Sequence, residues 1–291
     1  MNGKSVSPVY AEQGRTVNLP LVIPRRRRKL IAFGWYGGKF NHLNWLLPLL
    51  PASRRYCEPF GGSAAVLLNR EPAPVETYND IDGELVNFFK VLRDNADELL
   101  RLLALTPFSR EEFHAAIYET PDGLTDVERA RRFYVRARQA RTGLAQTATL
   151  GRWANCKNTS RAGKAGVVSR WLNGIEGLVE IAERLLRVQI ENRPALECIR
   201  LYDDTETFFY CDPPYVHETR GDSKAYTFEM NEEEHVAFAN VLKTIKGKAA
   251  VSGYRCGLMD TLFTGWRRFD APIKECHSIK KPRQERLWVN Y

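Results

Sequence analysis

The chain of 291 residues is long enough for one large domain or two smaller ones, and it carries a net charge of +8 at pH 7. Its composition, 44% hydrophobic and 27% charged, includes no apolar run of the roughly 18–20 residues that span a bilayer and no secretory pattern at the start, so we expect a cytoplasmic protein that contacts no membrane. Six scattered cysteines form no C-x-x-C pair and five histidines form no H-E-x-x-H pattern, so we expect reduced thiols and no bound metal.

The first predicted elements follow the order strand, turn, helix, strand, helix. Residues 1–29 form a basic arm, which precedes an alternation of short apolar runs and helical patterns from Leu30 onward. The predicted elements are a strand at 55–57, a turn at 58–62, a helix at 63–69, a strand at 74–79 and helical spacing over 85–92. This order is typical of an open parallel α/β sheet.

The middle of the chain has no clear strand pattern before residue 187. The remaining predicted elements are successive helices within 97–141 with breaks near Pro107 and at 121–123, loops or a hairpin at 142–169, a helix at 175–186, strands at 187–190, 207–211 and 248–252, and an edge strand at 286–291. We therefore expect residues 97–189 to be an insertion between two parts of one α/β domain, residues 30–96 and 190–291.

Positive charge is concentrated in the predicted insertion. Between Glu128 and Glu176 the sequence has no acidic residue, although a solvated face normally mixes both signs. This pattern favours a nucleic acid as the partner. The basic residues of the segment are Arg129, Arg131, Arg132, Arg136, Arg138, Arg141, Arg152, Lys157, Arg161, Lys164 and Arg170.

The sequence Asp212-Pro213-Pro214-Tyr215 directly follows the predicted strand at 207–211. Ligands bind at the carboxyl ends of strands in open α/β sheets, so these residues are candidates for a reactive site. The Asp212 carboxylate and the Pro213 carbonyl can accept hydrogen bonds from the exocyclic amine of a nucleobase, and the Tyr215 ring can stack on a base. Taken alone, the four residues are equally compatible with an ordinary Pro-Pro turn after a strand.

A second motif, Glu58-Pro59-Phe60-Gly61-Gly62, lies between the first predicted strand and its helix. Glycines at this position let the backbone approach a bound ligand closely. Asp80 follows the next strand, at the distance expected for a carboxylate that binds ribose hydroxyls. A tight turn and a solvent-facing Asp80 are the alternative interpretation.

Taken together, the ordered motifs resemble those of the DNA adenine methylase (Dam-like) family of S-adenosylmethionine-dependent amino-methyltransferases. Residues 35–39 (WYGGK) are similar to its opening motif, and residues 58–64 (EPFGGSA) to its glycine loop. Residues 79–82 (NDID) and 212–215 (DPPY) follow in the family's order, and 285–291 resembles its terminal strand.

This resemblance implies a Rossmann-like S-adenosylmethionine-dependent methyltransferase sheet with an inserted, mostly helical target-recognition domain. The implied reaction is methylation of the N6 amino group of adenine in double-stranded DNA, with the base flipped out of the helix, by a monomer or weak dimer. The implied catalytic residues are Asp212, Pro213, Pro214 and Tyr215. The cofactor-binding residues are Trp35, Lys39, Glu58, Phe60, Gly62, Asp80 and Asp212. The candidate DNA contacts are Arg136, Arg138, Arg141, Arg152 and Trp153.

The sequence departs from the family pattern at two places. Ala64 stands where the family has a last glycine, and we expect it to be tolerated there with a helical backbone. The insertion lacks the family's asparagine-rich signature, so the recognition sequence is left open, as is the existence of a partner restriction enzyme. Methylation of the N4 amino group of cytosine, or a non-catalytic DNA-binding relative of the same fold, are the alternative functions.

Overall fold

The computed structural model describes residues 29–118, 122–141, 148–161, 163–219, 227–272 and 284–291. The strands are β1 (Arg55–Glu58), β2 (Val75–Asn79), β3 (Ser160–Arg161), β4 (Lys164–Ala165), β5 (Val188–Glu191), β6 (Thr207–Cys211), β7 (Lys248–Tyr254), β8 (Arg267–Asp270) and β9 (Glu285–Val289). In this part of the chain, seven strands form one sheet in the order β5-β2-β1-β6-β7-β9-β8, and β3 and β4 form a separate hairpin.

The five strands from β5 to β7 run parallel, as the order of the predicted elements indicated. β9 enters antiparallel between β7 and β8. The prediction of an edge strand at 286–291 is therefore wrong, because β8 pairs with the outer side of β9 and takes the edge position. Strand order depends on contacts between distant segments, which a local sequence pattern does not specify.

The helices are α1 (Leu43–Leu46), α2 (Ala65–Asn69), α3 (Gly83–Asp94), α4 (Ala96–Leu105), α5 (Arg110–Tyr118), α6 (Asp126–Gln139), α7 (Gly166–Glu176), α8 (Leu178–Leu185), α9 (Ala195–Tyr202), α10 (Glu232–Thr244) and α11 (Gly257–Leu262). The helix predicted at 175–186 forms as α8, which begins at Leu178, whereas the prediction of loops or a hairpin up to residue 169 is wrong at its end, because α7 begins at Gly166. None of the helices in the described ranges is long and apolar enough to cross a membrane.

Capping and apolar spacing explain why α3 forms where it does. The Asp82 side chain accepts hydrogen bonds from the backbone N–H groups of Glu84 and Leu85 at 3.0 and 3.4 Å, so it stabilises the first turn. The buried side of the helix carries Leu85, Phe88, Phe89 and Leu92 at helical spacing. α3 thereby packs one face into the core next to β2 and places the loop after β2 at the sheet edge.

The predicted insertion shares a hydrophobic core with the sheet. The ring of Tyr134 in α6 stacks on Phe88 in α3, with centroids 5.6 Å apart and planes 8° apart. Arg184 in α8 donates hydrogen bonds of 2.6 and 2.8 Å to the buried Glu76 of β2. The expected end of the insertion, between residues 189 and 190, falls within β5. The arm at 1–28 and part of the loop region at 142–147 lie outside the described residues.

Candidate active site

The carboxyl ends of β1, β2 and β6 meet at one edge of the sheet, because β1 pairs in parallel with both neighbours. Glu58 ends β1, Asp80 follows β2 and Asp212 follows β6. A cavity of about 710 Å³ opens at this edge, which we call the main cavity. Its lining includes all the cofactor-binding residues expected from the sequence, which are Trp35, Lys39, Glu58, Phe60, Gly62, Asp80 and Asp212.

The loop after β1 brings backbone, rather than a side chain, to the wall of the main cavity. Gly62 has a φ of +49°, and a Cβ atom there would lie 2.9 Å from Nε1 of Trp35. Its N–H donates to Oδ2 of Asp80 at 2.9 Å, and its carbonyl accepts from the Tyr78 hydroxyl at 2.8 Å. Both the backbone conformation and the close approach of Trp35 therefore require glycine at this position.

Ala64 corrects an expectation from the sequence. It does not have a right-handed helical backbone, because its φ of 55° and ψ of 26° lie in the left-handed region. That conformation costs an alanine roughly 1–2 kcal/mol. The N–H of Ala64 donates to the Gly61 carbonyl at 2.8 Å, and its carbonyl accepts from Leu68 at 2.9 Å. These bonds and complete burial hold the strained residue in place.

Two acids of the main cavity have raised pKa values. Burial raises the pKa of Glu58 to about 8, although the Tyr56 hydroxyl donates to it at 2.5 Å. Burial likewise raises the pKa of Asp80 to about 6, against the hydrogen bonds from the backbone of Asp82 and Gly62. At neutral pH Glu58 is therefore mostly protonated and able to donate, whereas Asp80 is mostly ionised.

Asp212 is held from two sides. Oγ of Ser252 in β7 donates to Oδ1 at 2.9 Å, and Nζ of Lys39 lies 2.7 Å from each carboxylate oxygen. Lys39 also donates to the Gly37 carbonyl at 2.7 Å and is only 3% exposed. Burial lowers the pKa of Lys39, but Asp212 and Glu285 outweigh burial, so the net pKa is raised and the ammonium stays charged.

The other residues of the D-P-P-Y motif have different surroundings. Pro213, Pro214 and Tyr215 line a separate small cavity, and of the three only Pro214 also lines the main cavity. Tyr215 is buried, its hydroxyl donates to Oε1 of Glu285, and its ring centroid lies 4.8 Å from Nζ of Lys39. Stacking of a base on Tyr215 stays a prediction.

A family model for D12 class N6 adenine-specific DNA methyltransferases matches residues 35–277. The chain belongs to this family. The family and the enzyme class that the motifs predicted are thus confirmed, and membership implies S-adenosylmethionine as the methyl donor and DNA as the substrate.

Three similar proteins are methyltransferases by name. Type II methyltransferase M1.LlaDCHI of Lactococcus lactis subsp. cremoris is 25% identical over 229 residues, 74% of this chain and 76% of the relative. Type II methyltransferase M.MjaIII of Methanocaldococcus jannaschii is 22% identical over 296 residues, 88% of this chain and 97% of the relative. The DNA N-6-adenine-methyltransferase of Escherichia phage P1 is 39% identical over 70 residues, and this match spans 24% of the chain but only 9% of the phage protein.

Two of the expected DNA contacts of this methyltransferase take part in packing. Arg136 is half-buried and donates to the carbonyl of Ala116 at 2.7 Å, and burial lowers its pKa. The Trp153 ring lies 5.5 Å from the Phe108 ring, and its Nε1 donates to Gln139 at 3.4 Å. These interactions leave both residues less available to DNA than an exposed side chain would be.

Two other candidates line an open depression on the surface of the methyltransferase. Arg138 and Arg141 surround a cavity of about 390 Å³ together with Arg170. An adjoining cavity of about 270 Å³ shares Arg138 and Arg170 and adds Lys29. We call these two cavities together the basic cleft. Arg152 lies apart in the short turn at Leu150–Arg152 and is partly exposed.

Part of the basic run is neutralised by acids from other positions. The sequence segment contains no acid, but the fold brings carboxylates from α3 and α5 and from the start of α6 against its first arginines. The resulting ion pairs are Arg129 with Glu84 at 2.5 Å, Arg131 with Glu112 at 2.7 Å and with Glu128 at 2.7 Å, and Arg132 with Glu128 at 2.8 Å. The charge available to a phosphate backbone is therefore smaller than the sequence indicated.

The sequence interpretation missed several residues of the site. Ser252 and Glu197 lie outside every recognised motif, Glu285 begins the terminal strand and was given no role, and β7, α9 and β9 bring the three to the site. Glu197 lines the main cavity six residues after β5. Within the described residues, no group of three or more His, Cys, Asp and Glu side chains is arranged to hold a metal.

Proposed function

We propose that this methyltransferase transfers the methyl group of S-adenosylmethionine to the N6 amino group of adenine in double-stranded DNA, and that the target base is turned out of the helix. The observation that carries the proposal is the position of Asp212. Its carboxylate follows β6 and faces the main cavity, beside the glycine loop and Asp80. An exocyclic amine of a paired base could not reach this enclosed position without leaving the duplex.

The residues of the main cavity fit the implied cofactor. Its volume of about 710 Å³ is within the usual range for sites of small molecules and cofactors. Asp80 supplies a carboxylate for ribose hydroxyls, and the bare backbone of Gly62 allows a close approach where a Cβ atom would collide with Trp35. When bound, S-adenosylmethionine supplies a methyl group on a positively charged sulfur.

Asp212 would bind the target amine and orient it for attack. The amino lone pair is delocalised into the base, and hydrogen bonds from the amine to Asp212 and to the Pro213 carbonyl would favour a tetrahedral nitrogen with a free lone pair. The new N–C bond would form as the bond between the methyl carbon and sulfur breaks, and the nitrogen would lose one proton to water, so the methylated amine would be neutral. Positioning and electrostatics provide the rate acceleration.

The basic cleft would bind DNA phosphates. Arg138, Arg141, Arg170 and Lys29 face the same pair of adjoining cavities, and guanidinium groups suit the geometry of a phosphate. Among the described residues that line it, Glu180 is the one acid. Contacts of this kind position the duplex without reading its sequence.

The test is transfer of tritiated methyl groups from S-adenosylmethionine to unmethylated genomic DNA, followed by nucleoside analysis. We expect label in N6-methyladenine, and its loss in Asp212→Ala. Label in N4-methylcytosine would keep the mechanism and overturn the substrate. Absence of label from a protein that binds both cofactor and DNA would instead support a non-catalytic relative.

A further inference from the structure

Glu285 is a buried carboxylate outside every recognised catalytic motif. It begins β9 and pairs across the ladder with Tyr254 of β7. Its backbone carbonyl accepts from the N–H of Ala271 at 2.8 Å, and its side chain is only 4% exposed. The sheet therefore fixes this residue from both sides.

A single oxygen of Glu285 contacts two residues of the site. Oε1 accepts a hydrogen bond from the Tyr215 hydroxyl and lies 3.5 Å from Nζ of Lys39. The Tyr215 ring also meets the edge of Tyr254, with centroids 4.7 Å apart. The orientation of Tyr215 thus depends on both Glu285 and Tyr254.

Lys39 shares the oxygens of Asp212 with the incoming amine. Both oxygens of Asp212 lie 2.7 Å from its Nζ, and an incoming amine must bond to at least one of them. A buried ammonium without a carboxylate partner is strongly unfavourable. Glu285 is close enough that a small movement of Nζ would bring the ammonium of Lys39 from Asp212 to Glu285.

We propose that Glu285 is a positioning residue for methyl transfer. It holds the Tyr215 hydroxyl and serves as a counter-ion of Lys39 while Asp212 binds the target amine. This inference rests on the proposed role of Asp212. Burial raises the pKa of Glu285 and Lys39 opposes that shift, in keeping with a carboxylate that depends on this ammonium.

The test compares Glu285→Gln with Glu285→Asp in the full chain. Glutamine keeps the size of the side chain, and its amide oxygen can still accept from Tyr215, but it has no charge for Lys39. We expect kcat for methylation of genomic DNA to fall at least about tenfold in Glu285→Gln, with the Kd of S-adenosylmethionine within about twofold of wild type. Glu285→Asp keeps the charge and should recover part of kcat.

A purely structural role gives the opposite order, because aspartate shortens a buried side chain and glutamine preserves its shape. A higher kcat in Glu285→Gln than in Glu285→Asp, or a kcat of Glu285→Gln within about twofold of wild type, would overturn the proposal. Thermal unfolding checks that both variants fold. Should Glu285→Gln not fold, Tyr215→Phe breaks the hydrogen bond between Tyr215 and Glu285 and should lower kcat without changing the cofactor Kd, and an unchanged kcat would overturn the role given to Glu285 in holding this hydroxyl.

Asp270→Asn is the matched control. It changes a carboxylate to an amide on the neighbouring strand β8, where Asp270 pairs with Arg286 at 2.5 Å and does not line the main cavity. We expect its kcat to stay within about twofold of wild type. If wild type itself transfers no methyl group, the proposed function fails, and that result is distinct from an active wild type with an unaffected Glu285→Gln.

Discussion

Lys39 holds both carboxylate oxygens of Asp212 at 2.7 Å, in a site where the lysine is 3% exposed. A lysine so enclosed is stable only with its carboxylates, and the carboxylates in turn depend on it. This mutual dependence makes the pair a source of stability that varies with pH.

Lys39→Met should lower the free energy of unfolding by about 3 kcal/mol at neutral pH, because it leaves buried carboxylates without their cation. Glu285 already has a raised pKa in the folded state, and losing Lys39 raises it further. An acid whose pKa is raised by folding stabilises the folded state less as the pH rises. The loss of unfolding free energy in Lys39→Met should therefore become smaller toward pH 5. Urea unfolding at several pH values measures this, with the exposed Lys90→Met as the control. An equal deficit at all pH values would contradict the argument.

Glu58→Gln should remove a pH dependence of stability. The pKa of Glu58 is about 8 in the folded protein and its usual value is 4.5, so the unfolded chain releases this proton at a lower pH than the folded protein does. Wild type should therefore lose stability relative to the variant between about pH 5 and pH 8, by on the order of 1 kcal/mol per pH unit. The difference between the two unfolding curves isolates Glu58. The exposed Glu180→Gln is the control for the loss of one carboxylate.

Gly62→Ala should weaken cofactor binding as well as stability. Its φ is +49° and the new Cβ atom would lie 2.9 Å from Trp35, so conformational strain and a collision combine. Gly123 has a φ of +79° but nothing within 4 Å of a Cβ atom, which makes it a matched control. Gly123→Ala should cost about 1 kcal/mol of stability with no change in cofactor Kd, whereas Gly62→Ala should raise that Kd about tenfold or more. Calorimetric titration with S-adenosylmethionine distinguishes the two.

Arg141→Ala should reduce the salt dependence of DNA binding. Each phosphate contact contributes about 0.9 to the slope of log K against log salt concentration for duplex DNA. We expect the slope to fall by roughly that amount in Arg141→Ala. Arg131 is held by Glu112 and Glu128, so Arg131→Ala should leave the slope unchanged. Equal slopes for both variants and wild type would remove Arg141 from the DNA-binding surface.

The sequence predicted the parts of the fold that depend on neighbouring residues. β6 has the predicted bounds 207–211, and the glycine loop and Asp80 come together because parallel strands end at the same edge. Gly177 divides a predicted helix, although a glycine within a helical pattern was a visible warning. Ala64 occupies a left-handed conformation that no alanine pattern indicates.

Partners from distant segments could not be read from local patterns. Nothing near Glu285 in the sequence indicates that it meets Tyr215, since the contact depends on β9 entering between β7 and β8. The basic run gave a similar difficulty. Arg129 pairs with Glu84, 45 positions earlier. A count of charges within the segment therefore overstated the positive charge that is available to DNA.

The position of β9 also determines the order in which the sheet can be completed during synthesis. β7 leaves the ribosome with an unpaired edge, and β8, although made next, pairs with β9 rather than with β7. Both strands must therefore wait until residues 285–289 emerge. Until then β7 has an exposed edge, and Glu285 contacts neither Lys39 nor Tyr215. The same short segment therefore completes the site and covers the edge of β7, where another chain could otherwise pair.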